Sequence, residues 1–252
     1  MDNKDSFFSN RNTVRDVTAA DVQNAGDYLE VVKAFSRATN QSIYIIDYQK
    51  KGFEYVSDNP LFLSGHTAEE VCEMGYEFYF KYVPSDDLEL LLKINTVGFD
   101  FYETLPLEDR KDYSISYDFH LTNNEGKLIL INQKLTPIFL TEEGKIWKAI
   151  CLVSLSTEQN YGNIIIQRNR YNETYKYDLS SCCWRRIEKI ELSDREKEIL
   201  RFSIRGYSIN EISEKLFISS DTVKFHRRKL FEKLEVSNIS EAISYASQNE
   251  LI

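Results

Sequence analysis

The stretch from Leu192 to Ile252, LSDREKEILRFSIRGYSINEISEKLFISSDTVKFHRRKLFEKLEVSNISEAISYASQNELI, admits few folds because it punctuates itself into short helices. Ser193-Asp-Arg-Glu196 and Ser208-Ile-Asn-Glu211 each set a hydroxyl three residues before a carboxylate, the spacing of a reciprocal N-terminal cap. Behind the first box Ile199, Leu200 and Phe202 turn inward, and Gly206 supplies the stop. Behind the second, Ile209, Ile212 and Leu216 turn inward, and Phe217-Ile218-Ser219 makes a turn. Ser219 or Ser220 then caps a third helix reaching about Glu235, and Ser240 caps a fourth lined by Ala242, Ile243 and Ala246. Helices joined this tightly form a small bundle, in which the second and third make a helix-turn-helix.

At about 100° per residue the third helix separates into faces. Val223, Leu230 and Leu234 point into the bundle, while Asp221, Lys224, Phe225, Arg228 and Lys229 share the opposite arc. Lys and Arg on such an arc can reach guanine edges or phosphates, and Phe225 can pack on a thymine methyl. Thr222 and Arg227 lie at the flanks, where phosphate contacts set register.

The run L-S-x-R-E-x-E-I-L, then G-x-S-x-N-E-I-S-x-x-L-x-I-S-x-x-T-V-K-x-H, then K-L and E-A, resembles a LuxR-type helix-turn-helix over nearly the whole tail. That resemblance implies major-groove binding to promoter DNA by the helix holding Thr222 to Arg228, and a homodimer joined through the last helix. It sets Lys224, Phe225 and Arg228 at base-reading positions, with Thr222 and Arg227 on the backbone. Phe225 departs from the smaller aliphatic residue often found there. His226 matches the family histidine and points towards the bundle, in a structural or phosphate-facing role rather than a catalytic one.

A net charge of −9, taken over the whole chain, opposes contact with a polyanion. From Arg186 onward, however, twelve basic and twelve acidic side chains balance, so the excess belongs to the preceding part. Between positions 224 and 233, Lys224, Arg227, Arg228, Lys229 and Lys233 face a single acid, Glu232. A local basic face, not the chain total, governs association with DNA.

The front of the chain follows another rhythm. In the first forty residues Val22, Ala25, Leu29, Val32 and Phe35 form an amphipathic stripe. SIYIID (Ser42 to Asp47) and FEYVS (Phe53 to Ser57), joined by YQKKG, read as a hairpin. Thr67-Ala-Glu-Glu70 is a capping box, and Pro84-Ser-Asp-Asp87 opens a longer helix with Ser85 or Asp86 as its cap. From Tyr113 the period becomes two: SISYDFHL, KLILINQKLTPIFL and KIWKAICLVSLS, separated by NNEG and TEEG, make a meander. The result is a five-stranded antiparallel sheet with helices on one face. Its element order and the phrases YVSDNPLFLSGHTAEEV and VPSDD resemble a PAS domain from Ser42 to Thr157. That resemblance implies a pocket between sheet and helices that senses a small molecule or a partner. Ile164 to Trp184 adds a further hairpin, or a strand and linker, with a turn near Asn169 to Asn172.

Enzymatic constellations are missing from the sequence. His66, His120 and His226 are far apart and outside metal-spaced motifs, so neither catalytic nor metal-binding residues are assigned, and no cofactor is expected. Glu69-Glu70 and Asp86-Asp87 fall at helix starts, where negative charge favours the helix dipole. Cys72, Cys151, Cys182 and Cys183 match neither zinc spacing nor a disulfide framework, and the adjacent pair could bridge only with strain. No apolar run approaches the roughly 20 residues needed to span a bilayer, and no secretion signal opens the chain, so a cytoplasmic protein without membrane partners is expected. A phospho-acceptor receiver is disfavoured by the long antiparallel ending.

The expectation is therefore an α+β chain. Residues 1–41 form an N-terminal helical segment, 42–160 a PAS-like sensor, 161–191 an extra hairpin and linker, and 192–252 an all-α four-helix LuxR-type unit. Its candidate DNA contacts are Thr222, Lys224, Phe225, Arg227, Arg228 and Lys229. The alternative for the PAS-like part is a ligand-free module for protein interaction or dimerisation, to which Tyr76, Phe78, Tyr79, Phe80 and Tyr82 are also suited.

Overall fold

The computed structural model describes residues 6–9, 11–14, 17–19, 28–168, 173–187, 190–248 and 251. The chain divides into two compact units, residues 1–187 and 188–252.

Unit one is built on an antiparallel sheet. Its strands are β1 (Ser42–Asp47), β2 (Gly52–Val56), β3 (Tyr113–Thr122), β4 (Leu128–Leu140), β5 (Ile146–Leu155), β6 (Gly162–Arg168), β7 (Glu173–Asp178) and β8 (Cys183–Ile187). Every residue of β1 is buried, as its β-branched and aromatic run requires of a strand covered on both faces. The order is β2-β1-β5-β4-β3-β6-β7-β8, so the sheet has eight strands rather than five. The last three continue outward from the free edge of β3, where Ser114 faces Gln167 and Ile115 faces Ile166. An edge left bare would expose a row of unpaired backbone donors and acceptors. The turn expected near Asn169 to Asn172 lies outside the described residues.

Helices α2 (Ala68–Met74), α3 (Glu77–Tyr82) and α4 (Ser85–Glu103) cover one face. Phe62, Val71, Phe78, Tyr79, Leu91 and Ile94 pack there against Phe119, Leu121 and Ile131. The aromatic run from Tyr76 thus fills a core: Tyr76, Phe78 and Tyr79 are buried and Phe80 and Tyr82 pack beside them. Thr67 caps α2 in the expected reciprocal box with Glu70. Pro84, however, is the N-cap of α4, and neither Ser85 nor Asp86 caps it. Asp87 instead turns inward, accepting the His120 backbone N–H at 2.5 Å and lying 2.9 Å from its Nδ1.

The other face carries α1 (Tyr28–Ala38), whose Tyr28, Leu29 and Val32 rest on Ile43, Ile45 and Ile150. Lys148, buried in β5, holds Glu54 at 2.7 Å and Tyr28 Oη at 3.3 Å, and Tyr28 also donates to Glu54. Of the expected N-terminal stripe, Val22 and Ala25 lie outside the described residues, and Phe35 faces outward, 51% exposed. Before α1, Phe7 and Val14 are buried against the α2–α4 side, and Asn12 Nδ2 holds the Phe7 carbonyl at 2.7 Å.

Unit two consists of α5 (Asp194–Ile204), α6 (Ile209–Leu216), α7 (Ser220–Leu234) and α8 (Ile239–Gln248). Both expected capping boxes form, Ser193 with Glu196 and Ser208 with Glu211. Ser219 caps α7 by accepting the Thr222 N–H at 3.1 Å. The start of α8 differs from expectation, because Asn238 Oδ1 accepts the Glu241 N–H at 3.0 Å while Glu241 accepts the Ser237 N–H at 2.7 Å. Ser240 is two residues too late for that role and lies within the helix. Ile199, Ile212 and Val223 close one cluster, and Leu200, Leu230, Leu234, Ala242 and Ala246 another.

Candidate nucleic-acid interface and an interior cavity

The helix-turn-helix is fixed by a polar cluster at the tight turn. Ser220 Oγ donates to Asn210 Oδ1 at 2.9 Å and lies 3.2 Å from the Oγ of the buried Ser213, which itself donates to the Asn210 carbonyl. Phe217 ends α6 in the left-handed region with φ 54°, its side chain 94% exposed. These bonds hold α6 against α7, with Val223, Leu230 and Leu234 of α7 buried.

The opposite arc of α7 is open. Asp221, Lys224, Phe225, Arg228 and Lys229 are exposed, and Thr222, His226 and Arg227 are partly buried at the flanks. Lys229 Nζ stands 4.8 Å above the Phe225 ring, and the Arg228 guanidinium lies 6.0 Å from it. Phe225 is 43% exposed, so the ring is a platform under two cations rather than part of the bundle core. Lys224 pairs with Asp221 at 3.0 Å and Arg228 with Glu232 at 3.8 Å. Exposed pairs on one helix are weak, about 0.3–0.5 kcal/mol, and leave both cations available to a polyanion. Arg227 packs its guanidinium 5.7 Å from the Phe231 ring, and burial pushes its pKa down. Lys233 leaves the basic group altogether, because its Nζ lies 2.8 Å from the buried carboxylate of Glu196. Sequence spacing could not reveal that pair, whose members are 37 residues apart.

Residues 191–246 match the family described as bacterial regulatory proteins, luxR family. The C-terminal unit is a LuxR-type helix-turn-helix domain. Its relatives include the CsgBAC operon transcriptional regulatory protein of Escherichia coli (strain K12), 48% identical over 62 residues, covering 25% of this chain and 29% of that protein. The oxygen regulatory protein NreC of Staphylococcus carnosus is 41% identical over 61 residues, covering 24% of this chain and 28% of NreC. The chain thus spans under a third of the length of these relatives. Among solved structures, the Vibrio cholerae VqmA dimer in the absence of target DNA is 18% identical over 88% of each chain, with a TM-score of 0.35. At that score the likeness carries no argument.

Unit one holds an interior cavity of about 80 Å³ between the sheet and α4. Phe7, Tyr48, Tyr76, Phe99, Tyr102 and Gln133 are among its walls. On one part of the wall, Gln133 Nε2 donates to Tyr117 Oη at 2.6 Å, and Tyr79 Oη lies 2.5 Å from Tyr44 Oη. Individual aromatics gave no sign of this space in the sequence; it arises where α4 bridges strands distant in the chain.

The histidines make local contacts. His66 pairs with Glu70 at 3.3 Å and with the Tyr82 hydroxyl, and His120 with Asp87. Cys182 and Cys183 are exposed free thiols, and Lys93 Nζ lies 3.3 Å from Cys182 Sγ. Among the described residues no helix is long and apolar enough to cross a membrane.

Proposed function

We propose that the chain is a DNA-binding transcription regulator that acts on promoter DNA in the cytoplasm. Lys224, Phe225 and Arg228 read base edges, Thr222 and Arg227 contact the phosphate backbone, and Lys229 adds to the same basic face. The observation that carries this is the exposed arc of α7, two cations over Phe225 beside Lys224, on a helix whose other side is locked into a helix-turn-helix. Two such helices in a homodimer engage successive major grooves only when their spacing suits the half-sites. The PAS-like unit sets that spacing through a small molecule held in its cavity.

The test is selection of genomic fragments by the purified chain, followed by anisotropy titration of a recovered fragment at fixed salt. Lys224→Ala and Arg228→Ala are each expected to weaken binding with unchanged circular dichroism. Unchanged affinity in both variants defeats the proposal. A second reading, in which unit one docks a protein partner, is favoured by the outer side of α1, where Val31 is 70% and Phe35 51% exposed. Native mass spectrometry separates the two, since a retained small molecule supports the sensor.

A further inference from the structure

The cavity in unit one has a chemical character of its own. Among the described residues, its walls carry no Lys, Arg, His, Asp or Glu. Nine of its 22 wall residues are Phe or Tyr. Burial pushes the phenols of Tyr48, Tyr76, Tyr79 and Tyr117 well above the ordinary tyrosine range, so these walls stay neutral near pH 7. Transfer of an ion into such surroundings without a counter-charge is strongly unfavourable.

Aromatic walls also favour a flat guest. Tyr48 and Phe99 meet edge-on at 5.4 Å, and Phe7 tilts against Tyr76 at 5.1 Å, so both ring faces and ring edges bound the space. A further ring at 4.5–7 Å from such partners gains more than its buried area alone provides. A volume of about 80 Å³ offers roughly six water-sized positions at about 10–15 Å³ each, which limits a guest to about one ring.

Polar groups complete the picture. Tyr44, Tyr79, Gln133 and Tyr117 largely satisfy one another. Tyr102, another buried wall residue, has its hydroxyl buried without a hydrogen-bond partner among the described residues. A buried hydroxyl without a partner is costly, and a guest that supplies one offsets that cost.

Resting on the sensor reading above, we infer that the cavity takes a single uncharged, one-ring aromatic molecule whose polar substituent bonds the Tyr102 hydroxyl. The ring fills the space between Tyr48, Phe99, Phe7 and Tyr76. Phe7 makes the N-terminal segment one wall of the site, its carbonyl held by Asn12 and Asn95.

The test uses the full purified chain and four probes of similar size: benzamide, benzoate, benzylammonium and cyclohexanecarboxamide. Binding is read by saturation-transfer NMR and by the shift in Tm. Benzamide is expected to bind about tenfold or more tighter than either ion, because the walls offer no counter-charge. It also outbinds the non-planar amide. Tyr102→Phe weakens benzamide by about threefold to tenfold, the loss of one hydrogen bond. Equal or tighter binding of benzoate, benzylammonium or the cyclohexyl amide overturns the proposed class, and that comparison needs no variant. Affinity indifferent to Tyr102→Phe overturns the hydroxyl contact. Native mass spectrometry distinguishes the levels of failure. A retained charged molecule overturns the class but leaves the sensor reading standing, whereas a chain that retains nothing and binds no probe overturns both.

Discussion

Lys233, in the last turn of α7, reaches across the bundle to Glu196 in the first turn of α5, with Nζ 2.8 Å from Oε2. The same carboxylate accepts the Ser193 backbone N–H at 2.8 Å, so one group closes a helix cap and ties two helices together. Glu196 is 4% exposed, and burial alone pushes its carboxyl up. Hydrogen bonds from Lys233 and Ser193 outweigh that push and hold it below the usual carboxylate range. A depressed pKa in the folded state means that this stabilisation is present above about pH 4.3, the ordinary Glu value, and lost as the pH falls through the folded-state value. Lys233→Met is expected to cost about 1–3 kcal/mol of unit-two stability at pH 7. Urea melts followed at 222 nm measure it, and Glu196→Gln is expected to flatten the loss of stability on acidification.

Asp87 plays the matching part in unit one. Its carboxylate, buried at the start of α4, takes both the backbone N–H and the ring Nδ1 of His120 on β3. Asp87→Ala leaves a buried N–H unpaired and is expected to destabilise unit one by about 1–3 kcal/mol. His120→Ala keeps the backbone bond and is expected to cost less. Trp147 and Trp184 both lie in unit one, so tryptophan fluorescence in urea reads the difference. Equal losses in the two variants would show that the ring, not the backbone bond, carries the contact.

The helices of unit two were legible because their signals are local. Ser193 with Glu196 and Ser208 with Glu211 are three residues apart, and a capping box needs no tertiary partner. The α8 cap lies two residues before the expected Ser240 because Ser237, Asn238 and Ser240 are all competent caps, and only the backbone turn selects Asn238. The meander was legible from period-two runs and glycine turns, while strands β6–β8 were read only as a hairpin or linker. Their pairing to β3 is non-local, and no pattern within IIIQR states which edge it will join. The α7 face followed from angular periodicity, except for Lys233, whose partner lies on another helix. A pocket between sheet and helices was implied by the PAS resemblance, but its wall residues were not legible for the same reason, since they come from Phe7, β1, α4, β3 and β4 at once.

Phe225 tests how α7 reads DNA. If its ring packs on a thymine methyl, replacing that thymine by deoxyuridine in a selected fragment removes the contact without altering base pairing. The wild-type chain is expected to lose about threefold to tenfold in affinity for the substituted fragment, the worth of a partly buried methyl. Phe225→Ala is expected to bind both fragments alike, because the contact is already gone. Anisotropy titration at one fixed salt concentration measures all four pairings, and a thymine-to-uracil penalty that survives in Phe225→Ala would move the methyl contact to another side chain.

Phe217 poses the sharpest question about what this domain gives up for function. It holds a left-handed backbone, φ 54°, which costs a non-glycine residue about 1–2 kcal/mol, and its ring is 94% exposed, so almost no packing offsets that cost. The turn itself is secured by other means, since the Phe217 N–H bonds to the Glu214 carbonyl and the Ile218 N–H to the Ser213 carbonyl. Glycine can adopt the same backbone freely. Phe217→Gly is therefore expected to stabilise unit two by about 0.5–1 kcal/mol net of its greater freedom when unfolded, seen as a higher urea midpoint at 222 nm. The informative measurement is DNA affinity in the same variant. A stabilised domain with unchanged affinity marks Phe217 as a bystander. A stabilised domain that binds a selected fragment more weakly shows that an exposed ring beside the recognition helix is kept, at a cost in stability, for contact with DNA or with the second protomer on it.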